Sequence, residues 1–419
     1  MISNDLYRAH QSAYRSGHST ETALLKIMDD LLWAMDNQQC SLLVLLDQSA
    51  AFDTVNQELL LNRLQTCFGV SGSALNWLRS YFKGRSQHVT IGQSSSDPHE
   101  LVTGFPQGSV LGPFAYPIYT SPLFDTVTRH GISIHMYADD TQIYVSFRST
   151  ESSEAQTRLH AAIGDVRKWM ETNHLKLNDS KTEFMVIASP HSMKHLSSDL
   201  TTLRIGNSSV DAAHEARNIG VILDSHLSMK QQVASVCRSC YVQMHNIAKK
   251  RAYMTEETAE KMVNALVTSR LDYANALLYG LPDYLTDKLQ VVQNNAARLI
   301  LKKKKHDNAT PLLKYLHWLP VKYRIEYKMN LLTFKSLRGD APVYLSDLLK
   351  EYVPSRLLRS ASSGLLDESK TGKKKCGDRA FSVAAPRLWN SLPEDLRDIQ
   401  ELTPFKSALK TFYFKKAFN

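Results

Sequence analysis

The sequence predicts an α+β protein, with strands and helices alternating through the first half and helices dominating the second. Three observations carry that prediction. SLLVLLD (41–47) is a continuous apolar run closed by a carboxylate. ISIHMYADDTQIYVSF (132–147) alternates apolar and polar residues about a central acidic pair, and residues 225–350 hold three long stretches at helical spacing.

Each element has its own warrant. TETALLKIMDDLLWAMD (20–36) sets Leu24, Leu25, Met28, Leu31, Leu32 and Met35 on helical spacing, so an amphipathic helix leads the chain. SLLVLLD is short and apolar throughout, the pattern of a buried strand, and it delivers Asp47 to its carboxyl end. AAFDTVNQELLLNRLQ (50–65) then reads as a helix that turns Phe52, Val55, Leu59 and Leu64 toward a core. LNWLRSYFKGRSQHV (75–89) adds a helix broken at Gly84. The alternation over 132–147 predicts two strands joined by a tight turn, which puts Asp139 and Asp140 at a hairpin tip. Helical spacing returns at 155–177 through Leu159, Ile163, Val166 and Trp169, and KTEFMVIA (181–188) resumes a strand.

Composition bounds the partners. At 419 residues the chain exceeds what one core organises, so two or three domains are expected. Its balance of 43% hydrophobic and 22% charged residues is that of a folded globular protein, not of a disordered or fibrous one. Lysine and arginine outnumber the acids by 50 to 41, a formal charge of +9 that favours polyanions without naming one. Five scattered cysteines are too few for a disulfide framework and point to a reducing, intracellular compartment, with cytoplasm and nucleus both open. Cys237 and Cys240 have the spacing that begins a zinc site, but no second ligand pair follows. The first residues lack the apolar core of a leader, and no segment approaches the roughly 18 apolar residues of a membrane span, so a soluble protein is expected.

The chemistry centres on three carboxylates, Asp47 at a strand end and Asp139 with Asp140 at a hairpin tip. Carboxylates crowded together repel one another unless a hard cation neutralises them, and magnesium takes such oxygen ligands. Two such ions can activate an attacking hydroxyl and stabilise a leaving pyrophosphate oxygen. Any one Asp at a turn has a plainer explanation in local hydrogen bonding. The company they keep is what counts.

LLDQSAAFDTV (45–55), GFPQGSVLGP (104–113), MYADDTQIY (136–144), HLKLNDSKTEFM (174–185) and IGVILD (219–224) resemble, in order, five motifs of the reverse transcriptases of non-LTR, LINE-like retrotransposons. QSAYRSGHSTETALL (11–25) resembles the fingers segment of that family, and the last third resembles the tail of such elements. The resemblance implies a right-hand polymerase palm of antiparallel sheet and helices with partial fingers, then a helical thumb-like domain and a small C-terminal unit. Its implied boundaries are 1–40 for partial fingers, 41–224 for the palm, 225–355 for the thumb-like or connection domain, 356–379 for a flexible link and 380–419 for the terminal unit.

Carried onto this sequence, the resemblance makes Asp47, Asp139 and Asp140 the ligands of two Mg2+ ions and Lys181 the proton donor to pyrophosphate. Phe52 becomes the steric gate against a 2′-hydroxyl. Gln48, Pro106, Gln107 and Gly108 bind the incoming deoxynucleoside triphosphate, and IGVILD grips the primer end. From the residues alone, Phe52 is equally a core residue, PQGSVLGP a turn, Lys181 an exposed ion-pairing lysine and IGVILD a plain hairpin. Lys249, Lys250, Arg251 and Lys302, Lys303, Lys304 and Lys305 are candidate contacts for the RNA template and DNA primer, as are Lys373 to Lys375; a solvated surface is the alternative for each.

The sequence departs from the family's pattern in three places. Nothing corresponds to the nuclease domain or the earliest fingers motifs, which implies truncation at the N-terminal side. Gln48 replaces an apolar residue. Pro117 falls inside an expected helix, where it costs roughly 3 kcal/mol. The implied activity is RNA-directed DNA polymerisation; the competing readings are a silent nucleic-acid-binding relic and another palm polymerase.

Overall fold

The computed structural model describes residues 7–49, 51–106, 108–196, 198–206, 208–353, 364–372 and 376–419. Helix α1 (Thr20–Asp36) starts at Ser19, whose hydroxyl accepts from Thr22 N while Ser19 N donates to the Thr22 hydroxyl oxygen. Strand β1 (Cys40–Leu46) is buried almost throughout, as an apolar run must be when covered on both faces. β2 (Gln48–Ser49) follows directly after Asp47. Helix α2 (Gln57–Thr66) is capped by the Asn56 side chain, which accepts from Leu59 N at 2.9 Å. The helix expected from residue 50 thus begins later. Residues 51–54 form a turn that carries Phe52, and the buried face of α2 is Leu60, Leu61 and Leu64, with Leu59 only half-buried. An Asn that can cap is a better start than the apolar residues before it.

Helix α3 (Gly72–Phe82) ends before Gly84, which takes φ +67°. Helix α4 (Leu111–Thr120) runs through Pro117, and α5 (Pro122–Thr128) begins on Pro122. The proline removes one N–H from α4, and packing offsets that loss: Tyr116, Ile118 and Tyr119 are fully buried around it. β3 (Ser133–Tyr137) and β4 (Asp140–Phe147) form the expected hairpin, antiparallel with Tyr137 opposite Asp140. Helix α6 (Ser152–Thr172) buries Leu159, Ile163 and Val166, whereas Trp169 stays half-buried and Met170 takes the core position. β5 (Lys176–Leu177), β6 (Glu183–Ile187), the pair β7 (Thr202–Ile205) and β8 (Ser208–Asp211), and the pair β9 (Glu215–Asn218) and β10 (Val221–Asp224) complete the strands needed here.

The chain divides into two compact units. The first comprises residues 1–18, 41–186 and 194–213. Its centre is a sheet in the order β6-β1-β4-β3, extended at β3 by a parallel bridge from Gln11 to Met136. Leu42, Val44, Ile143, Phe184 and Met185 form its buried centre with Leu159 and Val166 of α6.

The second unit comprises residues 19–40, 187–193 and 214–419. It holds α7 (Lys230–Lys250), α8 (Glu256–Val263), α9 (Asp283–Ile300), α10 (Val321–Leu337), α11 (Phe381–Asn390) and α12 (Leu402–Phe418). Helix α1 belongs to this unit and is bound to its later segments by three acids. Glu21 accepts from Ala276 N at 2.9 Å, Asp29 from Ser382 N and Oγ at 2.8 Å each, and Asp36 from Gly372 N at 2.8 Å and Gly377 N at 3.3 Å. Asp29 thereby caps α11, whose first N–H groups have no partner of their own. Burial pushes its carboxyl up to about 6 even though the bonds from Ser382 oppose the shift.

The terminal helices share a core with α10. Phe334 stacks on Phe405 at 4.1 Å, and Trp389, Leu392, Leu409 and Tyr413 surround them, with Phe412 partly buried beside them. Within the stretch expected to link flexibly, Leu366 is 2% exposed in this same core, its N–H bonded to Asn390 at 2.9 Å. Residues 354–363 and 373–375, including Lys373 to Lys375, lie outside the described residues.

Candidate active site

The candidate site lies at one end of the four-stranded sheet in the first unit. β1 ends at Leu46, so Asp47 is the first residue beyond it, one-third exposed. On the neighbouring strand pair, Ala138 and Asp139 form the turn and Asp140 opens β4. Ala138 takes φ +58°, a strained conformation for a residue with a Cβ, of the kind that gathers at functional turns.

Electrostatics show that the three carboxylates are neighbours. Loss of solvent, then the charges of Asp139 and Asp47, push Asp140 up to about 6. By surface area Asp140 is exposed, so solvent screens part of that repulsion. Among the described residues no three His, Cys, Asp or Glu side chains are drawn together tightly enough to close on one ion. The aspartates therefore form an open acidic cluster rather than a finished cage.

Hydrogen bonds tie the motifs to one another. Asn178 N donates to Asp47 O at 2.9 Å, and β2 pairs with β5 so that Gln48 faces Leu177. That pairing brings Lys181 to Asp47, Nζ to Oδ2 3.8 Å, with the lysine side chain 70% exposed. Gln48 is 6% exposed; its amide donates to Asp139 O at 3.2 Å and its carbonyl accepts from the Tyr116 hydroxyl.

The turn carrying Phe52 is joined to the second motif. Phe105 N donates to Phe52 O at 3.2 Å, Gly104 N to Val55 O at 2.8 Å, and Gln57 Nε2 to Gly104 O at 3.1 Å. Gly104 is required there: it takes φ +76°, and a Cβ would stand 2.7 Å from Asp53 O. Phe52 is half-buried and stacks on Tyr116 with ring centres 4.6 Å apart. Pro106 is half-buried, Gly108 is exposed with φ +79° and open space around it, and Gln107 lies outside the described residues. A cleft of about 530 Å³ opens beside this loop, lined by Asp53, His99, Thr103 and Pro106 among others.

Three residues here escape a reading of the sequence alone. Tyr116 supports both Phe52 and Gln48, Gly104 permits the close approach of two motifs, and Tyr14, at φ +59°, lies near enough for the Asp139 charge to raise its phenol after burial has done so. Gly104 has a signal, as a glycine at the head of a motif. The tyrosines have none, because their partners are distant in sequence.

The remaining candidates lie in the second unit. IGVILD is the turn and second strand of the β9–β10 hairpin, with Ile219 at φ +42° and Gly220 at φ +83°. Lys249 and Lys250 are exposed at the end of α7, and Lys302 to Lys305 are exposed beyond α9. Arg251 differs from them and is a correction to the expected surface cluster. It is 7% exposed and donates to Leu299 O at 3.0 Å, Met254 O at 2.7 Å and Ile300 O, so its charge serves the carbonyls at the end of α9. Cys237 and Cys240 sit one turn apart on α7, and burial raises both thiols, Cys240 to about 12. No helix among the described residues is long and apolar enough to cross a membrane.

The probable RNA-directed DNA polymerase from transposon BS of Drosophila melanogaster is 26% identical over 300 residues, which are 70% of this chain and 32% of that protein. The corresponding X-element protein is 26% identical over 298 residues, 70% of this chain and 32% of that protein. The RNA-directed DNA polymerase from mobile element jockey of Drosophila funebris is 26% identical over 299 residues, 69% and 31% of the two chains. The chain thus spans about a third of the length of the curated relatives it matches. Telomerase from Candida albicans, solved with a fragment of telomeric RNA, aligns at 12% identity over 77% of this chain and 52% of that one with a TM-score of 0.36, too slight a likeness to bear on function. Residues 1–223, more than half of the 419, match the reverse transcriptase (RNA-dependent DNA polymerase) family. The chain belongs to that family, in the form carried by non-LTR, LINE-like retrotransposons.

Proposed function

We propose that this chain is the polymerase portion of a retrotransposon enzyme that extends a DNA 3′-hydroxyl along an RNA template with deoxynucleoside triphosphates. The observation that carries the reading is the convergence of Asp47, Asp139 and Asp140 at one sheet end, close enough that two of them raise the third. In this reading the first unit is the palm with part of the fingers, and the helices after β10 act as the thumb.

Enzymes of this family generally use divalent metal ions. The donor set here fits such ions by its chemistry: hard carboxylate oxygens whose mutual repulsion a cation relieves. Two Mg2+ ions held by Asp47, Asp139 and Asp140 would lower the pKa of the attacking hydroxyl and offset charge on the leaving oxygen. Lys181, beside Asp47, supplies a proton to the pyrophosphate as it departs. Phe52, braced by Tyr116, occupies the space a 2′-hydroxyl would need. Asp140 is ionised above about pH 6.

The silent-relic reading is not favoured, since all three aspartates are present and coupled. Primer extension on poly(rA) with an oligo(dT) primer and Mg2+ tests the proposal beside the Asp139→Asn variant. Incorporation that disappears in the variant supports it. Equal incorporation by both proteins, or none by a folded wild type that binds primer–template, overturns it.

A further inference from the structure

Residues 377–382, late in the chain, hold two distant parts of the second unit at once. On one side Gly377 N and Ser382 N donate to Asp36 and Asp29 of α1. On the other, Arg379 leaves the short turn Gly377–Arg379 and donates from Nη1 to Leu227 O at 2.7 Å, 152 residues away in sequence. Leu227 lies in the loop, residues 225–229, that joins the β9–β10 hairpin to α7. That loop is strained. Leu227 takes φ +50° and Met229 φ +59°, left-handed values for two fully buried residues that carry a Cβ. Such backbone persists only where its surroundings fix it. Asp224, the last residue of β10, is one fixed point: its carboxylate accepts from His226 N at 3.1 Å, Ser228 N at 3.0 Å and Met229 N at 2.8 Å. His226 is a second, its Nδ1 donating to Ala188 O at 2.8 Å. Arg379 is a third.

As a stabiliser Arg379 is inefficient. Burial pulls its guanidinium below the ordinary value, with Cys376 and Asp224 opposing the shift, and its Nε and Nη2 are buried without a hydrogen-bond partner. Donors buried unmatched cost free energy. The stem also needs room that only glycine leaves: Gly280 takes φ +70°, and a Cβ there would stand 2.8 Å from Arg379 Cγ. What the residue supplies is a position. Its turn is bound to α1, so its guanidinium holds one carbonyl of a loop whose dihedral angles set the direction in which α7 leaves the hairpin.

We propose that Arg379 is a positioning residue for primer extension: from the C-terminal region it pins the loop before α7 and so sets the β9–β10 hairpin against the helices that follow it. The proposal rests on the polymerase reading above, in which that hairpin meets the primer end. Arg379 touches no substrate in it; its effect passes through Leu227 and the strained backbone. A loop released by about an ångström displaces the primer end comparably, which lowers turnover by as much as roughly a hundredfold. The C-terminal region, which shows no catalytic motif of its own, thereby acts on synthesis at a distance.

The test separates positioning from stability and from binding. Arg379→Gln and Arg379→Lys are compared with the wild type by single-turnover extension on poly(rA) with oligo(dT), the rate being taken per active enzyme from active-site titration, beside primer–template Kd and thermal melting. The glutamine variant extends roughly tenfold to a hundredfold more slowly per active enzyme at unchanged Kd. The lysine variant keeps a donor for Leu227 O and recovers most of the rate. An unchanged rate per active enzyme overturns the proposal, whatever happens to melting. So does a weakened Kd at full rate, which makes Arg379 a nucleic-acid contact. Native-state hydrogen exchange on the wild type stands even where a variant fails to fold. The N–H groups of Ser228 and Met229 open with the same free energy and denaturant slope as that of Ser382, as one cooperative unit; opening at a lower free energy of their own overturns the proposal. A folded wild type that does not extend primer removes the polymerase reading while joint opening retains the pinned loop; extension with independent opening does the reverse.

Discussion

The side-chain amide of Gln48 donates to the backbone carbonyl of Asp139 at 3.2 Å, bracing the acidic hairpin from the residue next to Asp47. At its other end Gln48 accepts from the Tyr116 hydroxyl, on a residue fully buried beneath Phe52. A polar residue at an otherwise apolar position is thus satisfied on both sides, which is the condition for tolerating it in a core.

Gln48→Leu leaves the Tyr116 hydroxyl buried and unmatched and is expected to destabilise the fold by about 1–3 kcal/mol. Tyr116→Phe added to it should recover most of that loss, because both polar groups are then gone. Chemical denaturation of the two variants measures this; a neutral Gln48→Leu refutes the coupling.

Asp140 has a carboxyl raised in the folded state to about 6 from an ordinary value of 3.8. The folded form therefore holds its proton more tightly than the unfolded form, so the shift costs stability above about pH 6 and that cost fades as pH falls toward 4. Asp140→Asn should melt higher than the wild type at pH 8 without divalent cation, with most of the gap gone by pH 4. Mg2+ should raise the wild-type melting temperature more than that of the variant. Equal melting curves at both pH values count against the crowding of these carboxylates.

Two glycines of one motif should respond differently. Gly104→Ala combines a left-handed φ with a 2.7 Å approach to Asp53 O and should unlatch the Phe52 turn. Gly108→Ala meets open space and carries only backbone strain, about 1–2 kcal/mol. Hydrogen exchange at Gly104 and Phe105 N–H separates them: exchange should quicken in the first variant alone.

Phe52→Val is expected to admit ribonucleotides while deoxynucleotide incorporation persists, measured as the ratio of the two kcat/KM values. An unchanged ratio assigns Phe52 to packing on Tyr116 and nothing more.

Arg251→Gln should lower stability by about 1–3 kcal/mol, since it strips carbonyl partners at a buried helix end. Lys302→Ala with Lys303→Ala should leave melting unchanged and lower the salt dependence of nucleic-acid binding. The reverse pattern would return Arg251 to the surface role that its neighbours in sequence suggest.

Periodicity locates β1, the β3–β4 hairpin, α1 and α6, because each is long or bounded by an unambiguous turn. Ordered motifs locate the aspartates. The start of α2 escapes periodicity because Phe52 and Val55 fit helical spacing although their backbone follows a turn fixed by Gly104 and Phe105, about fifty residues on. The same limit hides Tyr116 from view and makes Arg251 look like part of a lysine patch. Spacing reports which face a residue shares, not which distant carbonyl it meets. The family resemblance assigns α1 to the fingers, yet its acids bind segments as far away as Ser382, a pairing that no local pattern encodes.

That pairing has a consequence for biosynthesis. Helix α1 leaves the ribosome well ahead of its partners, because the groups that satisfy Asp29 and Asp36 follow it some 340 to 350 residues later. At about 5–20 residues per second the interval is tens of seconds, during which an apolar helix waits without its mates. A nascent chain arrested near residue 223 should recruit chaperones through this helix, and a chain extended past Ser382 should release them.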